Sequence, residues 1–247
     1  DDFDEFDGGR WEKSHNHTWG GNQSLFIEEN IVYQDGYLIL CLTNDENTSN
    51  SLKTYLALGD SYTIGQSVAT SLRWPNQLVK TLNREEITFE PAEIIARTGW
   101  TADELLTAIN AANISVKYDY VSLLIGVNNQ YRGRSVKSFE SDFIKLLNRA
   151  VAFSNSGSSS VFVLSIPDWG AMPFAKDQDR DRIAAEINTY NSSIKRICAN
   201  GNIAFFDITS ISREALTNSA YVALDEWHPS GEMYAEWVKM VIPFFNQ

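Results

Sequence analysis

Ser61, Asp225 and His228 are the residues in this sequence best suited to act together in chemistry, although they lie far apart along the chain. Ser61 sits in Leu58-Gly59-Asp60-Ser61-Tyr62-Thr63-Ile64-Gly65, where an apolar run ends and a helix can begin. A serine hydroxyl is a weak nucleophile until a base takes its proton, and histidine is the usual base near neutral pH. The chain has three histidines, His15, His17 and His228. The first two form a His-x-His pair with no third ligand evident nearby, so no metal site is expected. His228 follows Asp225 by three residues in Leu224-Asp225-Glu226-Trp227-His228-Pro229. On one loop the carboxylate can turn back to the imidazole, fix its tautomer and stabilise the imidazolium. Taken singly, Ser61 reads as a helix cap and Asp225-x-x-His228 as a structural loop.

Acyl chemistry also needs donors for the developing oxyanion. The Ser61 N–H, at the start of a helix, is one. Gly99, in Ala96-Arg97-Thr98-Gly99-Trp100, offers an unobstructed backbone amide, and Asn128, in Gly126-Val127-Asn128-Asn129, a side-chain amide. Each alone reads as a turn residue. All of them in this order and spacing argue for one site. Asp60, Asn129 and Trp169 are expected to face the substrate. Trp169 and Phe174, in Pro167-Asp168-Trp169-Gly170-Ala171-Met172-Pro173-Phe174, suit the wall of an acyl or sugar pocket, and Arg132-Gly133-Arg134 reads as a solvated loop.

Elements that alternate between strand and helix must hold these groups. Thr54–Leu58, Tyr120–Ile125, Val161–Ile166 and Ile203–Ile208 are apolar runs of the kind that form parallel strands covered on both faces. Helices are expected from Trp74-Pro75, from Thr101 with Asp103 and Glu104 behind it, and over Phe139–Phe153 and Arg182–Cys198. Another is expected over Met233–Phe245, ended or kinked at Pro243. The alternation predicts an α/β fold with an open parallel sheet, helices on both faces, and chemistry at the carboxyl ends of the strands.

Composition bounds the partners. Hydrophobic residues make up 43% and charged residues 21%, as in a globular protein. The net charge of −12 argues against nucleic acid, which is bound by releasing counterions onto Lys and Arg. No apolar run approaches the roughly 20 residues that span a bilayer. Asp1-Asp2-Phe3-Asp4-Glu5 is the opposite of a signal peptide. The compartment stays open, with secretion or the periplasm favoured. Cys41 and Cys198 are expected to be buried free thiols, and the oligomeric state stays open.

In order, Ser61, Gly99, Asn128 and His228 match the residues that name the SGNH hydrolases, and Gly59-Asp60-Ser61 resembles the opening of their GDSL signature. The resemblance covers about residues 54–247. It implies a flavodoxin-like three-layer α/β/α fold and hydrolysis of acyl esters or thioesters without metal or cofactor. Two departures stand out. Asn129 occupies a position where many members carry Asp, which puts a supporting hydrogen bond in question, and Glu226-Trp227 replaces smaller residues between the triad members.

Residues 1–43 have a different texture, rich in Asn, Asp, Gly and aromatics, with Gly20-Gly21 and Asp35-Gly36 marking β-hairpins. Residues 44–51 carry no apolar side chain and read as a linker to a catalytic domain over 52–247. Gly9-Arg10-Trp11-Glu12-Lys13 and Asp35-Gly36-Tyr37-Leu38-Ile39-Leu40 resemble the opening strands of lichenase- and laminarinase-type β-glucanases. That family's Glu-x-Asp-x-Glu motif is absent, so this segment is expected to be non-catalytic.

The leading expectation is a metal-independent serine esterase acting on short-chain or acetyl esters, including carbohydrate-linked ones. Its triad is Ser61, His228 and Asp225, with Ser61, Gly99 and Asn128 as the oxyanion hole. The alternatives are a thioesterase or lysophospholipase of the same fold, and a catalytically silent carbohydrate-binding protein.

Overall fold

The structure is a computed structural model that describes residues 31–34, 37–40, 52–83 and 88–246. The chain divides into two units, Asp1–Ser51 and Leu52–Gln247. In the first, β1 (Ile31–Gln34) pairs antiparallel with β2 (Tyr37–Leu40). Gln34 faces Tyr37 in the register, and Asp35-Gly36, which separates the strands in the sequence, lies outside the described residues. His15, His17, Gly20-Gly21, Cys41 and the linker at 44–51 lie outside the described residues, as does most of the glucanase-like stretch.

The second unit is built on a five-stranded parallel sheet in the order β4-β3-β5-β6-β7. Its strands are β3 (Tyr55–Gly59), β4 (Glu93–Ala96), β5 (Tyr120–Leu124), β6 (Val161–Leu164) and β7 (Ala204–Phe206). Every residue of β3 and β6 is buried, which is why these strands are continuous apolar runs and not alternating ones. β4 sits at the edge, is half exposed and has one neighbour, and it had not stood out as an apolar run. β7 is shorter than its run because the Ile208 and Thr209 amides donate to the Ser165 hydroxyl instead of continuing a ladder.

The helices are α1 (Ser61–Ile64), α2 (Trp74–Leu82), α3 (Ala102–Ala112), α4 (Val127–Tyr131), α5 (Val136–Phe153), α6 (Arg180–Asn200), α7 (Thr209–Arg213) and α8 (Gly231–Val241). α2 packs with α8, and α5 packs between α3 and α6, giving the three-layer α/β/α arrangement. Trp74 and Trp237, both fully buried, anchor α2 and α8. Trp74 stands edge-on to Phe162 of β6. α8 starts earlier than its apolar pattern, because the Ser230 hydroxyl accepts from the Met233 amide and caps it. It ends at Val241, and the chain runs through Pro243 as a 3-10 turn. Among the described residues no helix is long and apolar enough to cross a membrane. Cys198 is a free thiol buried on α6, and burial pushes it up to about 12.

Strand order reverses between β4-β3 and β5-β6-β7, which places a crevice outside the carboxyl ends of β3 and β5. Ser61 follows β3 and Asn128 follows β5.

Candidate active site

The turn after β3 is tight. A Cβ on Gly59 would lie 2.1 Å from the Thr63 hydroxyl and 2.5 Å from the Leu124 carbonyl, so only glycine fits. Asp60 then caps α1, its carboxylate accepting from the Tyr62 amide at 3.1 Å. Ser61 is the first helical residue, and its N–H belongs to the amides a helix leaves unpaired. Among the described residues no group hydrogen-bonds the Ser61 hydroxyl.

His228 and Asp225 come from a loop closed by a bridge between Val222 and Pro229. Asp225 organises that loop. Its Oδ1 accepts from the Trp227 and His228 amides at 3.0 and 2.9 Å, and its Oδ2 meets His228 Nδ1 at 2.7 Å. This is how a three-residue spacing brings the carboxylate to the ring. Partial burial pushes the Asp225 carboxyl up. The His228 amide, the Ser67 hydroxyl, the Trp227 amide and the imidazole together outweigh this and hold it at about 2. His228 is buried between Tyr62 and Trp227, with ring centroids at 5.6 and 5.4 Å.

Gly99 has φ +85, a conformation that disfavours a side chain, while the space around it is open. Its carbonyl accepts from Arg132 Nη2 at 2.6 Å, and Arg132 Nη1 also meets Glu104 at 3.1 Å. Arg134 pairs with Asp103. Arg132-Gly133-Arg134 is therefore not simply a solvated loop, since it straps the Gly99 loop and the start of α3. Asn128 lies inside α4, not in a turn. Its amide nitrogen donates to the Trp100 carbonyl at 3.0 Å and to Asp60 Oδ2 at 3.4 Å.

Asp60 and Asn129 do not sit where substrate contact was expected, being 0% and 1% exposed. Both lie beneath the site as supports. Asn129 Oδ1 accepts from the Ala102 amide at 2.9 Å, so the carbonyl of this amide makes the supporting bond that a carboxylate would make. Burial drives the Asp60 carboxyl up to about 7, against the lowering by the Tyr62 amide and Asn128. Trp169 lines the cleft, and its indole N–H donates to Gln130 Oε1 at 2.7 Å. Glu226, with φ +60, makes the tip of the His228 loop, and its carbonyl accepts from the Phe174 amide.

Ser61, Gly99, Asn128 and His228 line one cleft with Tyr62, Thr98, Val127, Tyr131, Trp169 and Trp227. Its volume is about 70 Å³, room for only a few waters. Sequence reasoning missed Ser67, which touches Asp225, and Arg132. No local pattern marks either. Among the described residues no group of three or more His, Cys, Asp or Glu side chains is arranged to hold a metal ion.

Several solved structures share this fold. The crystal structure of TesA aligns with a TM-score of 0.62 at 18% identity, covering 78% of this chain and 98% of that one. An acetylxylan esterase from Geobacillus stearothermophilus aligns with a TM-score of 0.63 at 18% identity, covering 79% and 94%. The psychrotrophic esterase EstA from Pseudoalteromonas sp. aligns with a TM-score of 0.60 at 17% identity, covering 79% and 100%. No curated protein sequence matches the chain. The GDSL-like lipase/acylhydrolase family matches residues 57–236, from within β3 to within α8. With the sheet, the crevice and the match in agreement, the chain belongs to the GDSL-like lipase/acylhydrolase family and is a hydrolase of the ester-cleaving kind.

Proposed function

We propose that the protein is a serine esterase that removes acetyl or other short acyl groups, with Ser61 as nucleophile, His228 as base and Asp225 as its orienting partner. The observation that carries this reading is the 2.7 Å contact between His228 Nδ1 and Asp225 Oδ2 at the cleft that Ser61 lines. With Nδ1 donating to the carboxylate, Nε2 is left as the acceptor. It takes the Ser61 proton as Oγ attacks the ester carbonyl, through a hydrogen bond that forms once substrate is in place. The tetrahedral oxyanion is held by the Ser61 and Gly99 amides and by Asn128 Nδ2, whose 3.4 Å bond to Asp60 is the weaker of its two and the one it gives up. The imidazolium then protonates the leaving alcohol, leaving an acyl-serine. Water, deprotonated by His228, attacks that acyl carbonyl and frees the acid and Ser61.

The small cleft volume supports a short acyl group over the long chain of a lysophospholipase. A series of p-nitrophenyl esters tests this, run with and without EDTA. Turnover falls at least about tenfold from acetate to octanoate, a loss of roughly 1.4 kcal/mol of transition-state binding, and EDTA leaves the rate unchanged. Equal or better turnover of octanoate would overturn the acyl assignment, and no turnover of any ester would overturn the esterase reading.

A further inference from the structure

A second depression adjoins the catalytic cleft and shares two walls with it, Tyr131 and Trp169. Its volume is about 340 Å³, against about 70 Å³ for the cleft. The remaining walls include Gln130, Phe174, Gln178, Arg182 and Glu186. An ester whose acyl part fills the small cleft therefore has space for a larger alcohol part next door.

The chemistry of that space is specific. Tyr131 and Phe174 are 47% and 41% exposed, and each packs on neighbouring aromatic rings. Phe174 stacks on Trp227 at 4.2 Å with the planes 7° apart. Tyr131 stands edge-on to Trp169 at 5.2 Å and lies 5.6 Å from Trp227. Trp169 is pinned in turn by Gln130, whose amide nitrogen donates to Glu186 Oε2 at 2.6 Å. The aromatic rings are thus packed against one another before any ligand arrives, so less rotamer freedom remains to be lost on binding.

Facing them is a polar rim. Arg182 meets Glu186 at 3.5 Å, so the charges there balance, and Gln178 is exposed beside them. Guanidinium, carboxylate and amide groups offer paired donors and acceptors suited to vicinal hydroxyls. A fatty chain would strip water from this rim without compensation. An anionic group would meet Glu186 and a chain of net charge −12. A pyranose fits both sides, with apolar C–H faces for the rings and hydroxyls for the rim.

We infer that this depression binds a neutral glycosyl unit, the alcohol part of an acylated carbohydrate whose ester lies at Ser61. The assignment rests on the esterase reading for its chemistry but not for its binding. Two variants of the whole chain separate the two, Phe174→Ala and the double variant Gln178→Ala with Arg182→Ala, which keep Ser61, His228 and the cleft lining. Partially acetylated xylo- and cello-oligosaccharides serve as substrates beside p-nitrophenyl acetate. Each variant raises KM for the acetylated oligosaccharides about tenfold, while kcat/KM for p-nitrophenyl acetate stays within about twofold. Loss on both substrates alike, or on neither, overturns the subsite. The deacetylated oligosaccharides are also titrated against each protein by tryptophan fluorescence, which needs no turnover. Saturable binding that the variants weaken upholds the subsite even if no ester is cleaved, and absence of binding overturns it even if p-nitrophenyl acetate is cleaved.

Discussion

The Ser67 hydroxyl donates a 2.5 Å hydrogen bond to Asp225 Oδ2, the same carboxylate oxygen that meets His228 Nδ1 at 2.7 Å. Ser67 holds φ +65, a conformation costly for any residue with a side chain. Its hydroxyl is thus retained against local backbone preference, and it shares the negative charge that steadies the imidazolium.

Ser67→Gly removes the hydroxyl while relieving the positive φ, two effects of opposite sign on stability, so the melting temperature changes little. With one donor fewer, the carboxylate pairs more strongly with protonated His228, and the acid limb of kcat/KM moves to higher pH. Loss of a charge-assisted bond of about 1.5–3 kcal/mol sets the upper bound on the effect. An acid limb that stays in place would show that Ser67 is spectator to the pair. The Asp225 carboxyl itself, ordinarily near 3.8, is held at about 2 in the fold. Its stabilising contribution is therefore present above 3.8 and disappears as the pH falls towards 2.

Asn129 tests what supports the Gly99 side of the site. Asn129→Leu leaves the buried Ala102 amide without its acceptor, a cost of about 1–3 kcal/mol in stability. Turnover of p-nitrophenyl acetate falls with it, since the Gly99 loop leads into that amide. Asn129→Asp restores an acceptor oxygen and keeps activity close to that of the parent. A Leu variant as stable and active as the parent would remove Asn129 from the argument.

Asp60 carries a pH signature of opposite sign to Asp225. Burial lifts its carboxyl from 3.8 to about 7. Between those values the folded chain holds a proton that the unfolded chain has released, so stability from this group falls as pH rises and levels off above about 7. Asp60→Asn has no such titration. Its unfolding free energy relative to the parent therefore grows from pH 4 to pH 7, by at most roughly 4 kcal/mol. Urea melts across that range measure the difference, and a gap independent of pH would contradict a buried, titrating Asp60.

The amino-terminal segment is proposed to lie outside the chemistry. A chain beginning at Ser51 keeps every group in the mechanism and cleaves p-nitrophenyl acetate at a rate near that of the whole chain. A folded but inactive truncated chain would make residues 1–50 part of the site.

Much of this arrangement was legible in the sequence, for physical reasons that differ from residue to residue. Four of the five parallel strands appear as apolar runs, β3, β5 and β6 because they are almost wholly buried and the edge strand β7 because Ile203 and Ile208 on either side of it are buried, whereas β4, at the other edge and half exposed, has a weaker pattern. Ser61, Gly99 and Asn128 are readable because each stands just beyond a strand of one sheet, and Asp225 with His228 because three residues of loop suffice to join them. Asp60 and Asn129, expected to face the substrate, are instead buried where Asp60 caps α1 and Asn129 accepts from the first amide of α3. Ser67 and Arg132 were beyond reach. Their partners lie 158 and 33 residues away, and only the folded sheet brings them together.

Whether Ser61 is the nucleophile is tested most directly by reacting the whole chain with a fluorophosphonate and locating the adduct by peptide mass spectrometry. The expected result is one phosphonyl group per chain, on Ser61, with loss of esterase activity in proportion to labelling and no adduct in Ser61→Ala, which stays folded. Stoichiometric labelling of any other residue, or full ester hydrolysis by Ser61→Ala, would contradict the account.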